Sequence, residues 1–380
     1  MERILFLSSL WPPVVLGGAE IYASRLAAEM KGRGSEIGVV TLGVDGDDVL
    51  EAVEPRPYGL HEFAAPPRRR RIAYHLADLW RSDVSSAIER AVRSFRPDVV
   101  HSHAVEGLSS AALATPSRLG VPHVHTVHDY WLLCQRTTMV TRRGERCDGR
   151  CAGCRSVCAL RTGLARRGFP HVVVAPSEAV AAEHLRFSPA RDRLRVVRHP
   201  IEAARPAVRR TGATRFGYLG QLLPIKGLPT LLRAFRRLDD ATATLVVAGT
   251  GPLAEMAQGH PDPRVEYVGW IDDAGRDAFF DDVDCLVVPS EWKEPAPLVI
   301  NEAAARGVPV IATHLGGMPE LVPAICRELL AAPGDEEGLL RSLERFARQR
   351  DRYVFQAPSR PWDEHLAELG EAYAAARRAT

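Results

Sequence analysis

The stretch S-E-W-K-E-P-A-P-L-V-I-N-E-A-A-A-R-G-V-P-V-I-A-T-H-L-G-G-M-P-E occupies Ser290–Glu320. It reads as a loop running into a helix, then a short buried strand, then a glycine-rich loop opening another helix. Two carboxylates, Glu294 and Glu302, stand across the loop-to-helix boundary with seven residues between them. Pro297 fits the first helical turn, where a missing N–H costs nothing. The amides of Leu298 and Val299 then point out of the helix start, a positive end suited to a phosphate. A carboxylate beside an anion site is electrostatically unfavourable unless it meets a neutral group such as a sugar hydroxyl. The segment therefore suits a sugar joined to a phosphate, although two ordinary glutamates on a surface helix would also fit it.

Working outward, short β-branched runs alternate with helical stretches, the signature of parallel α/β folding. Strands are expected at Ile4–Ser9, Ile37–Leu42, Asp98–His103, His123–His128, Val172–Ala175 and Leu194–Arg198. A second set is expected at Arg215–Leu219, Thr244–Ala248, Val265–Val268, Cys285–Pro289 and Val308–Ala312. Most lack polar alternation, as strands buried on both faces should. A polar, Arg-bearing stretch at 201–212 separates the halves. The expected organisation is two Rossmann-like domains: residues 1–200 with a Cys-rich insertion at 134–158, a linker at 201–212, residues 213–355, and a final segment at 356–380. That last segment holds a helix with Leu366, Leu369 and Tyr373 on one side.

Four further loops follow strand ends, where open α/β sheets bind ligands. L-W-P-P-V-V-L-G-G-A-E (10–20) precedes a helix expected at Ala19–Lys31, and Gly17 and Gly18 let backbone approach a phosphate. It is neither a Walker loop nor a dinucleotide fingerprint. R-F-G-Y-L-G-Q-L-L-P-I-K-G (215–227) carries Lys226, one of only three lysines in a chain whose basic charge is almost all arginine. V-A-G-T-G-P-L (247–253) and Y-V-G-W-I (267–271) follow two more strands.

Taken in order, these motifs resemble those of the GT-B glycosyltransferases, specifically the large retaining family 4. The resemblance covers nearly the whole chain. It implies two Rossmann-like domains facing a cleft, with the C-terminal helix crossing back to the first. It implies transfer of a sugar from a nucleotide-diphosphate sugar, a UDP- or GDP-sugar, to a hydroxyl of a saccharide, lipid-linked or small natural-product acceptor. Under that resemblance Glu294 would hold sugar hydroxyls and Glu302 the ribose. Lys226, Gly17–Gly18 and the amides at Leu298–Val299 would stabilise the leaving diphosphate, by a front-face mechanism without a catalytic metal. Gly220 and Lys226-Gly227 match the family's G-R-x4-K-G segment, but Gln221 stands where Arg is usual. A neutral amide replaces a charged fork there, leaving most of the side-chain charge to Lys226. Two other classes stay open: a sugar-nucleotide epimerase or hydrolase, and a non-catalytic nucleotide-sugar-binding partner.

Histidines crowd two strand ends: His101 and His103, then His123, His125 and His128. A metal site and a set of half-buried cleft histidines are both readable. By the resemblance, His128 positions donor and acceptor, with His101, His103 and Asp129 on the acceptor side and Asp129 orienting His128. Five of the seven cysteines fall within 134–158: Cys134, Cys147, Cys151, Cys154 and Cys158. The Cys151-x2-Cys154 spacing suits a metal knuckle. A structural zinc held by Cys134, Cys147, Cys151 and Cys154 is expected, with Cys158 as alternative ligand. An iron–sulfur cluster or free thiols are the other readings.

P-P-R-R-R-R-I-A-Y-H-L-A-D-L-W (66–80) is the only dense basic run, with Ile72, Leu76 and Leu79 at helical spacing. It reads as a solvated helix start, with a peripheral membrane contact as the sharper alternative. The net charge of +2 offers no general signature of nucleic-acid binding. The opening M-E-R-I-L-F-L-S-S-L lacks the layout of a signal peptide, and no apolar run approaches the ~18–20 residues that span a bilayer. A cytoplasmic protein is expected.

Overall fold

The computed structural model describes residues 1–55, 68–141, 143–166, 168–187, 192–207 and 212–380. Twelve strands are present among them: β1 Arg3–Leu7, β2 Glu36–Leu42, β3 Val49–Val53, β4 Val99–Ser102, β5 His123–Thr126, β6 Val172–Ala175, β7 Leu194–Val196, β8 Arg215–Leu219, β9 Thr244–Ala248, β10 Val265–Gly269, β11 Cys285–Val288 and β12 Val310–Ala312. They form two sheets, ordered β3-β2-β1-β4-β5-β6-β7 and β10-β9-β8-β11-β12. Every strand pairing is parallel.

In each sheet the strand order reverses beside its first strand. The second strand of each set lies to one side, and β4 or β11 lies to the other. Crevices at the carboxyl ends of such reversals are where open α/β sheets take ligands. The central strands are buried throughout. Ile4 to Leu7, Val99, Val100 and Val124 are fully inside one sheet, and Phe216, Leu245, Cys285, Leu286, Val310 and Ile311 are fully inside the other. Each eleven-strand expectation has its strand, usually trimmed by one or two residues. The addition is β3, V-L-E-A-V, an edge strand alternating between half-buried and exposed positions until Val53.

The chain divides into two compact units. One comprises Met1–Met139, Cys147–Arg198 and His365–Thr380; the other comprises Val140–Arg146 and His199–Glu364. The last helix, Trp362–Ala379, thus ends inside the first unit. Its buried face is His365, Leu369, Ala372, Tyr373 and Ala376, a helical stripe. Within that unit Tyr373 Oη lies 2.9 Å from His101 Nδ1 and Tyr22 Oη 2.8 Å from His365 Nε2. Leu366 is only half-buried. Of the basic run, 66–67 lie outside the described residues, as do the side chains of 68–72. The helix Arg68–Ala77 leaves Leu76 62% exposed while Tyr74 and Asp78 turn inward. Residues 208–211 of the expected linker also lie outside the described residues. Among the described residues no helix is long and apolar enough to cross a membrane.

The first unit buries an unusual quantity of imidazole. His101 Nε2 meets Thr126 Oγ1 at 2.7 Å, and Ser102 Oγ lies between His123 Nε2 at 2.8 Å and His125 Nδ1 at 2.9 Å. Desolvation holds His101 and His123 well below the ordinary value, His125 and His128 at about 3, and His184 at about 4. His171 is lowered too, again chiefly by burial. Burial raises the carboxyls of Glu20 and Asp78, lifts Asp129 to about 6 and lifts Glu106 to about 8.

These two sets act in opposite senses. The unfolded chain protonates its histidines below roughly pH 6.5, while the fold keeps them neutral far lower, so they remove stability as pH falls through that window. The carboxyls hold their protons to higher pH in the fold than in the unfolded chain, so they add stability as pH falls, Glu106 from about 8 downward. The imidazoles outnumber the carboxyls. We predict a melting temperature that is highest near neutral pH and falls from pH 6.5 to 5, with net proton uptake on unfolding. A melting temperature that climbs steadily over that acid range would contradict the burial of these rings.

Candidate active site

Within the second unit, four strand-end loops converge on one constellation. After β8, the chain makes a short 3-10 turn at Pro224–Lys226. Gly227 follows with φ +76°, and a Cβ there would collide with the Pro289 carbonyl. Only glycine lets these two backbones touch. After β11 comes Ser290 to Pro297. The Glu291 amide donates to the Ile225 carbonyl at 2.8 Å, tying this loop to the lysine turn.

The loop after β12 closes the other side. Thr313 Oγ1 donates to the Ser290 carbonyl at 2.6 Å, and the Gly317 amide donates to the Glu294 carbonyl at 2.8 Å. Gly316 has φ +58°, and a Cβ there would stand 2.5 Å from that same carbonyl. The G-G-M-P-E loop therefore clamps Glu294 through its backbone.

So positioned, Lys226 Nζ donates to Glu294 Oε1 at 2.7 Å, and Ser290 Oγ donates to the same oxygen at 2.5 Å. The Lys226 ammonium also lies 5.2 Å from the centre of the Trp292 ring. Glu294 is buried, while Lys226 keeps 22% of its side chain exposed. The adjacent helix is Leu298–Ala305. Pro297 sits one position earlier than expected. It is the extended N-cap, φ −66° and ψ 115°, and not a residue of the first turn. Leu298 and Val299 are thus the first two helical residues, whose amides have no carbonyl four residues before them within the helix.

Glu302 lies within this helix, and its Oε2 accepts from Arg276 at 2.6 Å. Arg276 comes from the helix Asp273–Asp282, and nothing local in the sequence announces that pairing. Gly220 is joined to the loop after β9: a Cβ on Gly249 would strike the Gly220 carbonyl, and Leu222 donates to the Thr250 carbonyl at 2.8 Å. The Gln221 carbonyl accepts from Tyr218 Oη at 2.8 Å. Asp282-Val283-Asp284, at the other end of β11, is held by structural contacts. Asp282 pairs with Arg215 at 2.7 Å, while Asp284 accepts the Arg215 amide at 2.8 Å and lies 3.4 Å from Arg350.

In the first unit, Gly17 caps the helix Gly18–Gly32, and its amide donates to Glu20 Oε2 at 2.8 Å. Glu20 was not singled out from sequence; it sits inside the motif and closes the glycine loop on itself. His103, at the end of β4, reaches His128 after β5, with Nδ1 and Nε2 3.1 Å apart and the rings stacked. Phe6 stacks on His103 and Tyr22 flanks His128. His128 is half-buried, whereas His101 and His103 are fully enclosed. His101 therefore supports from behind and does not present a face to a ligand. Asp129 Oδ1 accepts the Trp131 amide at 2.7 Å, and His103 stands against His128.

A second unforeseen contact holds this loop. Asp78 and Arg161, each almost completely buried, pair at 2.5 Å. Asp78 also accepts from Trp131 Nε1 at 2.7 Å and from the Gly107 amide at 2.9 Å. Arg161 donates to the Trp131 carbonyl at 2.8 Å and stacks on its ring. Arg161 belongs to the helix Ala152–Ala165, which begins in the cysteine cluster. All seven cysteines are free thiols. Cys134, Cys154 and Cys158 are buried, Cys147 is intermediate and Cys151 is exposed. As placed, the described residues contain no group of three or more His, Cys, Asp or Glu side chains gathered tightly enough to hold a metal ion.

Known proteins resemble this chain in sequence and in fold. Residues 16–205 match the model of "Glycosyltransferase Family 4", and residues 213–349 match that of "Glycosyl transferases group 1". A glycogen synthase of Mycobacterium tuberculosis is 30% identical over 89% of this chain and 84% of its own length. Among solved structures, sucrose-phosphate synthase from Thermosynechococcus elongatus superposes with a TM-score of 0.72, at 20% identity and full coverage of both chains. Anabaena Alr3699/HepE, solved in complex with UDP-glucose, gives 0.69 at 18% identity, covering 100% of this chain and 98% of that one. Two parallel sheets with their reversals marked by glycine-rich loops, matched along both halves by these models, place the chain in glycosyltransferase family 4: it has the GT-B fold and is a glycosyltransferase.

Proposed function

We propose that the chain transfers a sugar from a nucleotide-diphosphate sugar, a UDP-sugar in the first instance or a GDP-sugar, to a hydroxyl acceptor with retention of configuration. The observation that carries this reading is the Lys226–Glu294 pair at the sheet reversal, 2.7 Å apart and set beside the amides of Leu298 and Val299. Each group currently satisfies the other. A donor would satisfy them separately, its diphosphate taking the ammonium and amides, its sugar hydroxyls donating to the carboxylate. The solved structure with UDP-glucose supports the choice of nucleotide.

In this reading the bond from the anomeric carbon to the diphosphate oxygen breaks as the acceptor oxygen bonds to the same face of that carbon. The leaving phosphate oxygen takes the acceptor proton, so no side chain serves as a strong base. Lys226 and the helix amides stabilise the developing phosphate charge. Glu294 orients the sugar, held by Ser290 on one side and through its backbone by Gly317 on the other. Glu302 serves the ribose through the carboxylate that Arg276 orients. His128, neutral because burial holds it at about 3, offers an uncharged imidazole on the acceptor side. The acceptor is a saccharide, a lipid-linked saccharide or a small natural product. Seven free thiols suit work in the reducing cytoplasm.

Screening UDP-, GDP-, ADP- and dTDP-sugars by thermal shift identifies the donor, since a ligand bound only by the native state raises the melting temperature. Proton NMR of the product then reads its anomeric configuration. An inverted product would refute the front-face scheme. Lys226→Ala and Glu294→Ala should each cut turnover at least about a hundredfold, the scale for losing one electrostatic group at the reacting centre. Near-wild-type turnover in both folded variants would remove this constellation from the donor site.

Gln221→Arg should be tolerated, and should tighten donor binding by adding a charged fork beside the diphosphate. A folded but inactive Gln221→Arg enzyme would show that the amide has a use of its own here.

A further inference from the structure

We infer that the cysteine cluster is a structural zinc site, formed by Cys134, Cys147, Cys151 and Cys154, that fixes the segment between the His128 loop and the helix Ala152–Ala165. Cys134 and Cys154 already stand with their sulfurs 3.9 Å apart. The edge of a tetrahedron with zinc–sulfur bonds of about 2.3 Å is about 3.8 Å, so this pair is spaced as two ligands of one zinc would be.

Two backbone amides support the same reading. Arg136 N donates to Cys134 Sγ at 3.4 Å, and Cys154 N donates to Cys151 Sγ at 3.5 Å. Amides aimed at sulfur favour the thiolate that a metal requires. Cys151 is the N-cap of its helix, a position that keeps the side chain at the chain turn and not along the helix face. Cys147 is delivered by a bond from its amide to the Met139 carbonyl at 2.8 Å, just after the antiparallel bridge Val140↔Arg146. It interacts electrostatically with Cys134, Cys151 and Cys154, so all four thiols share one neighbourhood.

What the site lacks is the inward turn of its two accessible members. Cys147 is half-exposed and Cys151 exposed, so neither thiol is locked into a packed core. Cys158 differs. It is fully buried one turn further along the helix, where it packs as a small apolar group. A thiol set of this density with few apolar neighbours is not a hydrophobic core. Four thiolates leave no open coordination position, so the ion holds structure and does no chemistry.

The far end of the same helix is held by Arg161, through Asp78 and the Trp131 and Cys134 carbonyls. Zinc at one end and this buried ion pair at the other would brace the loop that carries His128 and Asp129. That consequence rests on the reading of His128 given above; zinc binding itself does not.

Elemental analysis of protein made without an affinity tag should find about one zinc per chain. Exchange for cobalt(II) should give intense visible bands of tetrahedral thiolate coordination and sulfur-to-metal charge transfer. Cys134→Ser and Cys151→Ser should each abolish stoichiometric zinc, while Cys158→Ser retains it. If the serine variants fail to fold, titrating the wild-type protein with an organomercurial should release one zinc for about four thiols modified. Zinc well below one equivalent with no cobalt spectrum would overturn the proposal, as would a brown protein containing iron. Full zinc content in folded Cys151→Ser would overturn the ligand set.

Discussion

A parallel sheet covered on both faces can offer chemistry at only one place, the carboxyl ends of its strands. That constraint governs both halves of this chain. The interior strands are spent on burial: Phe216, Leu245, Leu286 and Ile311 lie fully inside one sheet, Ile4 to Leu7 and Val100 inside the other. Polar function is displaced to the loops that follow β1, β4, β8, β9, β11 and β12. The reversal of strand order between β8 and β11 then spreads two of those loops apart, and the Lys226–Glu294 pair lies there.

The donor constellation is built by backbone contact as much as by side chains. Gly227 lets the lysine turn rest on Pro289, and Gly316 lets the last loop rest on Glu294. With those approaches made, Lys226, Glu294, Ser290 and Trp292 fall together. A partly buried ion pair of this kind stores little net stability, because desolvating the two charges offsets their attraction. Its value is placement. Apart from the lysine, Ser290 holds the carboxylate and Gly317 holds the Glu294 backbone, so an arriving anion can draw the lysine away while the glutamate stays in position.

Much of this was legible in the sequence, and the failures have physical causes. Strands buried on both faces read clearly because their apolar runs are unbroken. β3 did not, because an edge strand alternates and V-L-E-A-V is short. Lys226, Glu294 and the Leu298–Val299 amides were found because the contributing motifs are local runs at strand ends. Ser290 and Trp292 stood in the same run, yet their roles depend on how the loop folds back. Arg276 against Glu302 and Arg161 against Asp78 join residues 26 and 83 positions apart, and no local pattern encodes such a partner. The Asp129 Oδ1 bond to the Trp131 amide is local, as a short aspartate favours the amide two residues on.

The most direct test of the donor assignment separates the two members of the ion pair by the part of the ligand each meets. Calorimetric titration with UDP alone, which carries the diphosphate but no sugar, should distinguish them. Lys226→Ala should weaken UDP binding at least about tenfold, the loss of one charge-assisted contact. Glu294→Ala should bind UDP as well as the wild-type protein or more tightly, because its lysine is released from the pair. If Glu294→Ala loses as much UDP affinity as Lys226→Ala, or if neither change matters, the division of diphosphate and sugar between these two residues is wrong.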